Sequence, residues 1–92
     1  MTLEVDMEGP VEVDALSIEE AAGMTGRVKE FTVDAQVDSD WKVLSRGTTV
    51  GERKVDHFPA VTAWKVRLTI TKSDGVPAIS TFGLYRTGGG KQ

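Results

Sequence analysis

Apolar and polar residues alternate along most of this chain. In the segments Leu3–Met7, Phe31–Val37 and Trp64–Ile70 every second side chain is apolar. A period of two places successive side chains on opposite faces of a strand, so each segment is expected to bury one face and expose the other. The chain has no apolar pattern with the 3.6-residue period of an amphipathic helix.

Glycine and proline residues indicate where these strands should end. Gly9-Pro10 is expected to end the first strand, because this dipeptide favours a turn. Phe58-Pro59 is expected to form a corner between a strand at 53–58 and a strand at 64–71, because proline cannot donate a hydrogen bond to a strand ladder. Both positions therefore predict short strands on either side.

A hairpin is expected in the middle of the chain. Asp38-Ser39-Asp40 is typical of a tight turn, so the segment 29–44 should form two paired strands. With a last strand at Ile79–Tyr85, about seven short strands are predicted, a pattern typical of an antiparallel sandwich or barrel. Trp41 and Trp64 are expected on the core side. The predicted core comprises Phe31, Val33, Val43, Val66, Leu68, Ile70 and Phe82.

Composition limits the function classes. Ninety-two residues make one small domain, and the absence of cysteine excludes disulfides and thiolate metal sites. No apolar run reaches the roughly 20 residues that span a membrane. Residues 1–26 hold seven of the 14 acidic residues and none of the 11 basic ones, which argues against nucleic acid as a partner.

Residues suited to catalysis are few. His57 is the only histidine, and no Gly-x-Ser-x-Gly motif accompanies it. The carboxylate pairs Glu19-Glu20 and Asp38/Asp40 occupy a predicted loop and turn, where nothing apolar would raise a pKa for general acid catalysis. Asp38-Ser39-Asp40 begins like a calcium loop but lacks the glycine and glutamate that follow in one. No catalytic or metal site is predicted.

Three segments together resemble the C-terminal β-sandwich of α-L-fucosidases, a discoidin-like and galactose-binding-like jelly roll. They are Thr2–Glu20, Gly26–Thr71 with its GTTVG turn and FPAVTAWKVRLTI strand, and Val76–Arg86 with PAISTFGLY. The resemblance implies an all-β, antiparallel, jelly-roll-like β-sandwich over residues 1–86 that lacks its opening strands. Residues 87–92 are expected to form a flexible tail.

The resemblance also implies a function. It predicts a non-catalytic accessory module that binds carbohydrate, such as a fucose- or galactose-containing glycan, or that supports the catalytic barrel of a parent hydrolase. The resemblance suggests an extracellular or periplasmic location for the parent, and the sequence itself leaves the location open. A protein-interaction module of discoidin-like fold is the alternative. No cofactor is expected, because Thr81 stands where the family has a glutamate near a structural calcium.

Candidate sugar-binding residues lie around the predicted corner. Arg53, His57 and Trp64 flank it and combine an aromatic ring with hydrogen-bond donors, which are the groups that sugar recognition uses. Missing opening strands would leave a sheet edge unpaired and apolar side chains uncovered. Exposed edges recruit other strands, so weak self-association is expected as the concentration rises.

Overall fold

The computed structural model describes residues 1–87, and these form five β-strands. The strands pair in one sheet of order β3-β2-β4-β1-β5, and every neighbouring pair is antiparallel. No helix in the described part is long and apolar enough to cross a membrane. The strands are β1 (Thr2–Glu20), β2 (Val28–Val37), β3 (Asp40–Gly47), β4 (Lys54–Ser73) and β5 (Ile79–Tyr85).

The two long strands, β1 and β4, divide the sheet into two arms. Residues 2–6 of β1 pair with 65–69 of β4, and this half, with β2 and β3, is the large arm. Residues 11–18 of β1 pair with 54–63 of β4, and this half, with β5, is the small arm. Both strands are irregular between the arms, because the register shifts between Asp6 and Val11.

The two arms share one hydrophobic core. Leu16 and Ile18 of the small arm are fully buried in the same cluster as Phe31 and Leu68 of the large arm. The sheet therefore folds onto itself into two layers, as expected for a β-sandwich. Gly47 pairs with Phe31 across β2 and β3, and a Cβ at Gly47 would lie 2.7 Å from the Phe31 ring. A glycine is required there because the ring occupies the place of a side chain.

The predicted number of strands is wrong, because two predicted breaks lie inside strands. Glu8 (φ 58°) and Gly9 (φ 132°) form a bulge in a continuous β1. Pro59 lies in a bulge of β4, where the five residues from His57 to Val61 lie opposite only the three residues from Val13 to Ala15 of β1. A bulge tolerates a proline because its extra residues do not take part in the ladder. The hairpin of β2 and β3 and the bounds of β5 are confirmed.

Most of the predicted core is confirmed. Five of the predicted core residues are buried: Phe31, Val33, Val66, Leu68 and Ile70. Phe82 is partly exposed and packs against the core cluster. Val43 is exposed, so its placement is wrong. A register shift in β3 pairs Val33 with Ser45 but Asp34 with Val43, which turns Val43 to the outer face of an edge strand.

Both tryptophans are exposed, contrary to the expected core-side placement. Trp41 is 38% exposed and lies opposite Gln36 on the outer face of the large arm. Trp64 is 46% exposed and lies between Ala63 and Lys65, where β1 bulges and the buried face of β4 changes phase. The strict alternation through Trp64 therefore conceals a change of face.

The end of the described chain is held by the small arm. The backbone N–H and the hydroxyl of Thr87, which the sequence assigns to the tail, donate to Asp14 Oδ1 at 2.7 and 3.0 Å. The Arg86 guanidinium donates to Glu12 at 2.7 Å. The rest of the predicted tail, 88–92, lies outside the described residues.

Candidate functional site

One face of the small arm points away from the core. Ala15 pairs with His57 on one side and with Tyr85 on the other. Directly paired residues in an antiparallel sheet lie on the same face, so His57, Ala15 and Tyr85 share one side of the sheet. Leu16, one residue further along β1, belongs to the core. The side that carries Ala15 is the outer face of the small arm.

The Tyr85 ring lies along β5 on this outer face. A Cβ at Gly83 would be 2.5 Å from the Tyr85 hydroxyl oxygen and 2.9 Å from Cζ, so the ring extends back across Gly83. The Tyr85 hydroxyl is 3.2 Å from Ser17 Oγ, within hydrogen-bond distance. Tyr85 is nevertheless 48% exposed. The ring is thus held at its far end while much of it faces solvent.

The surroundings of Tyr85 combine small, apolar and polar groups. Ala15 and Ser17 are buried in the middle of the outer face, and Val55, paired with Ser17, is 46% exposed. His57 is exposed two residues further along β4. Arg53 immediately precedes β4, in phase with Val55 and His57, and is also exposed. The outer face of the small arm therefore carries an aromatic ring and, two strands away, an imidazole, with the exposed Arg53 just before the strand of that imidazole.

A second exposed aromatic ring lies on the large arm. The Arg67 guanidinium stacks 4.0 Å from the Trp41 ring centroid and donates two hydrogen bonds to Asp34, at 2.6 and 3.2 Å. The hydrogen bond to Asp34 raises the pKa of Arg67, so the guanidinium keeps its charge. Arg67 therefore covers one side of the Trp41 ring, and two of its N–H groups are already bonded to Asp34.

The three sequence-predicted residues do not form one cluster. His57 lies on the outer face of the small arm, two strands from Tyr85, and Arg53 immediately precedes β4. Trp64 lies at the bend between the arms, seven residues beyond His57 and roughly 20 Å further along the strand at about 3.3 Å per residue. Sequence reasoning did not select Tyr85. The Gly-x-Tyr spacing of Gly83 and Tyr85 is the signal that could have indicated it, because it leaves room for a ring beside a residue without a side chain.

Glu20 organises the loops at the end of the small arm. Its side chain is buried, and its carboxylate accepts backbone hydrogen bonds from Gly26, Arg27, Val28 and Gly51 at 2.9–3.1 Å. Burial alone would raise the pKa of Glu20, but these four hydrogen bonds outweigh it and lower the pKa below 4.5. Glu20 thereby fixes the loop 48–53, which ends at Arg53.

The geometry offers little for catalysis or metal binding. Asp56, the neighbour of His57, faces the other way and binds Ser45 at 2.5 Å and Lys54 at 3.5 Å, so it cannot orient the imidazole. Within residues 1–87, no three His, Cys, Asp or Glu side chains lie where they could together hold a metal ion. Ring stacking and hydrogen bonding are the chemistry that the outer face of the small arm can perform.

A comparison with family models gives a match over most of the chain. The model of the F5/8 type C domain matches residues 1–82. The chain belongs to the F5/8 type C domain family. Its all-β antiparallel fold, with two arms around one core, agrees with the discoidin-like β-sandwich of this family.

Relatives of this F5/8 type C domain include α-L-fucosidases. "Putative alpha-L-fucosidase 1" of Oryza sativa subsp. japonica is 30% identical over 80 residues, which cover 87% of the chain and 16% of the rice protein. The crystal structure of a "putative alpha-L-fucosidase" from Bacteroides thetaiotaomicron superimposes with a TM-score of 0.90 at 26% identity, covering 94% of the chain and 20% of that protein. The domain thus spans about a sixth to a fifth of these relatives.

A more distant structure shares the fold. CpGH89CBM32-5 from Clostridium perfringens, solved in complex with GalNAc-β-1,3-galactose, superimposes with a TM-score of 0.78. The match covers 91% of this F5/8 type C domain and 64% of that chain, at 17% identity. At this identity the likeness establishes the common fold.

Proposed function

We propose that this F5/8 type C domain is a non-catalytic, carbohydrate-binding accessory module of an α-L-fucosidase, attached at the C-terminal side of a catalytic barrel. The observation that carries the proposal is the match of nearly the whole chain to a segment of only 16–20% of α-L-fucosidases. A segment of that size is too small for a catalytic barrel of roughly 250 residues and fits an appended domain.

Three of the 14 acidic residues are occupied within the fold, which supports a non-catalytic role. Glycoside hydrolysis commonly uses two carboxyl groups on either side of the bond that is cleaved. The buried Glu20 carboxylate is committed to four backbone N–H groups, and Asp34 and Asp56 are committed to Arg67 and Ser45. These three carboxylates hold the fold and are not available to a substrate.

Carbohydrate binding is supported by the exposed rings and by the shared fold. A pyranose has an apolar C–H face that stacks on an aromatic ring, and polar groups beside the ring can bind its hydroxyls. The outer face of the small arm has both kinds of group. The fold relative from Clostridium perfringens was solved with a galactose-containing disaccharide, so we propose fucose- or galactose-containing glycans as the ligand class.

A direct test uses the chain by itself. Calorimetric titration with L-fucose, D-galactose and GalNAc-β-1,3-galactose should show saturable binding of at least one sugar. Incubation with p-nitrophenyl α-L-fucoside should release no nitrophenol. Hydrolysis above the buffer rate would contradict the non-catalytic role, and the absence of binding to all three sugars would contradict the carbohydrate-binding role.

Protein interaction is the second candidate function. Trp41 and Val43 lie side by side on the outer face of the edge strand β3, because they pair with Gln36 and Asp34. Exposed apolar side chains in a group favour a contact with another protein surface. The catalytic barrel of the parent would be that partner. Sedimentation of the domain with the separate barrel of an α-L-fucosidase should show a complex that Trp41→Ser weakens.

A further inference from the structure

We propose that the Tyr85 ring, held across Gly83 by the Ser17 hydroxyl, is the platform on which this domain stacks a pyranose. This site depends on the proposed carbohydrate-binding function, and it lies on the outer face of the small arm. Arg53 and His57 are its hydrogen-bonding groups. Trp64, predicted with them from sequence, lies at the bend between the arms and outside this site.

The Tyr85 ring is already in position for stacking. Its hydroxyl lies 3.2 Å from Ser17 Oγ, and this hydrogen bond fixes the far end of the ring over Gly83. Gly83 leaves the space that the ring needs, since a Cβ there would approach Cε2 to 3.2 Å and the hydroxyl oxygen to 2.5 Å. An ordered ring loses little conformational entropy when a sugar binds, and such preorganisation favours affinity.

Much of the Tyr85 side chain is open to solvent. It is 48% exposed at the edge strand of the small arm, so a ligand can reach the ring. Val55, two strands away, is 46% exposed on the same face. Ala15 and Ser17 lie between them and are buried, so only small side chains separate the two exposed ones. Small side chains there leave the outward side of the ring accessible to a pyranose.

The polar side chains of Arg53 and His57 are unpaired among the residues that the structure describes. Arg53 and His57 make no side-chain hydrogen bond or ion pair with the described residues, in contrast to Arg67 and Arg86. An exposed guanidinium with five donors and an imidazole with a donor and an acceptor can bind the hydroxyls at the rim of a stacked sugar. Within the described part of the chain, Arg53 and His57 thus keep their polar groups free, whereas Arg67 on the large arm and Arg86 on the small arm are already paired.

The experiment compares matched aromatic variants. The affinities of L-fucose and D-galactose are measured by calorimetry for the wild-type chain, Tyr85→Ala and the control Trp41→Ala. The thermal unfolding of each variant is recorded to show that it is folded. Loss of the stacked ring should weaken binding about tenfold or more. Trp41→Ala should stay within about twofold, since Arg67 already covers its ring. Equal affinity of Tyr85→Ala and wild type would overturn the site.

A second measurement avoids dependence on the folding of a variant. Tyr85 is the only tyrosine in the chain, so its ring resonances can be identified directly in the wild-type protein. Saturating sugar should shift these resonances. Binding that leaves them unmoved would overturn the Tyr85 site while the proposed function stands. No binding of either sugar to the wild-type chain would overturn the proposed function, and the site with it.

Discussion

The Glu20 carboxylate accepts a hydrogen bond from the backbone N–H of Gly51 at 2.9 Å, across 31 residues of chain. The backbone N–H of Glu20 in turn donates to the Gly51 carbonyl at 3.3 Å. This reciprocal pair ties the end of β1 to the loop that leads into β4. Since Gly51 has φ 70°, a conformation that favours glycine, the loop is shaped to present its N–H to the carboxylate.

Glu20→Gln should destabilise the domain strongly. The amide has one acceptor oxygen and places an NH₂ group against backbone donors, so at least one buried N–H loses its partner and the charge-assisted bonds are lost. We expect the free energy of unfolding to fall by about 2–4 kcal/mol. Urea denaturation at neutral pH measures it.

Glu19→Gln is the matched control for this change. Glu19 is the neighbouring residue, it is only partly buried, and its side chain makes no hydrogen bond or ion pair with the described residues. Its substitution should change the free energy of unfolding by about 0.5 kcal/mol or less. Equal effects of the two substitutions would show that Glu20 is not an anchor.

Acid should weaken the domain through Glu20. Burial opposes its charge, but the four backbone hydrogen bonds lower its pKa below 4.5 in the folded state. A group whose pKa is lower when folded stabilises the fold above its unfolded pKa, and this stabilisation is lost as the pH falls through the folded pKa. The free energy of unfolding should decline below pH 4.5, and less steeply in Glu20→Gln. Equal slopes of wild type and variant in urea titrations at several pH values would contradict this assignment.

The strand pattern was readable from sequence, but its continuity was not. Local turn chemistry at Gly9-Pro10 and Phe58-Pro59 predicts breaks, yet β1 and β4 run through both places. Each irregularity lies where the two strands pair with different numbers of residues. A bulge depends on the partner strand, so the residues of one strand alone cannot distinguish it from a turn.

Leu68→Ala and Val43→Ala test the core assignment as a pair. Both residues were expected in the core, but Leu68 is buried at the centre of the shared cluster and Val43 is exposed on an edge strand. Leu68→Ala should lower the free energy of unfolding by about 2–5 kcal/mol, and Val43→Ala by less than about 1 kcal/mol. A larger loss for Val43→Ala in urea denaturation would place the register shift of β3 elsewhere.

The proposed site could be selected only in part from sequence, for a related reason. Arg53 and His57 were selected because they lie near the predicted proline corner and carry donors; His57 lies on the outer face of the small arm, and Arg53 immediately precedes β4. Tyr85 reaches this face through pairing of β1 with both β4 and β5, which connects residues far apart in the chain. Alternation within one strand indicates which face of the sheet each side chain lies on, but it does not indicate which residues of neighbouring strands lie beside it.

The stacked pair on the large arm can be tested by fluorescence. In a Trp64→Phe background, Trp41 is the only tryptophan. Arg67 lies 4.0 Å from the centroid of its ring, so Arg67→Ala should expose the ring to water and move its emission maximum to longer wavelength. Lys72→Ala is the control, because Lys72 pairs with Glu30 away from Trp41. An unchanged emission maximum in Arg67→Ala would contradict the stacking.

The most direct test of the account is chemical-shift mapping of the backbone amides while L-fucose or D-galactose is added to the wild-type chain. Saturable shifts are expected, and they should be largest at residues 83–85 of β5 and at residues 53–57, where β4 begins. Shifts confined to the surroundings of Trp41 or Trp64, or no shifts at saturating concentrations of either sugar, would contradict this expectation.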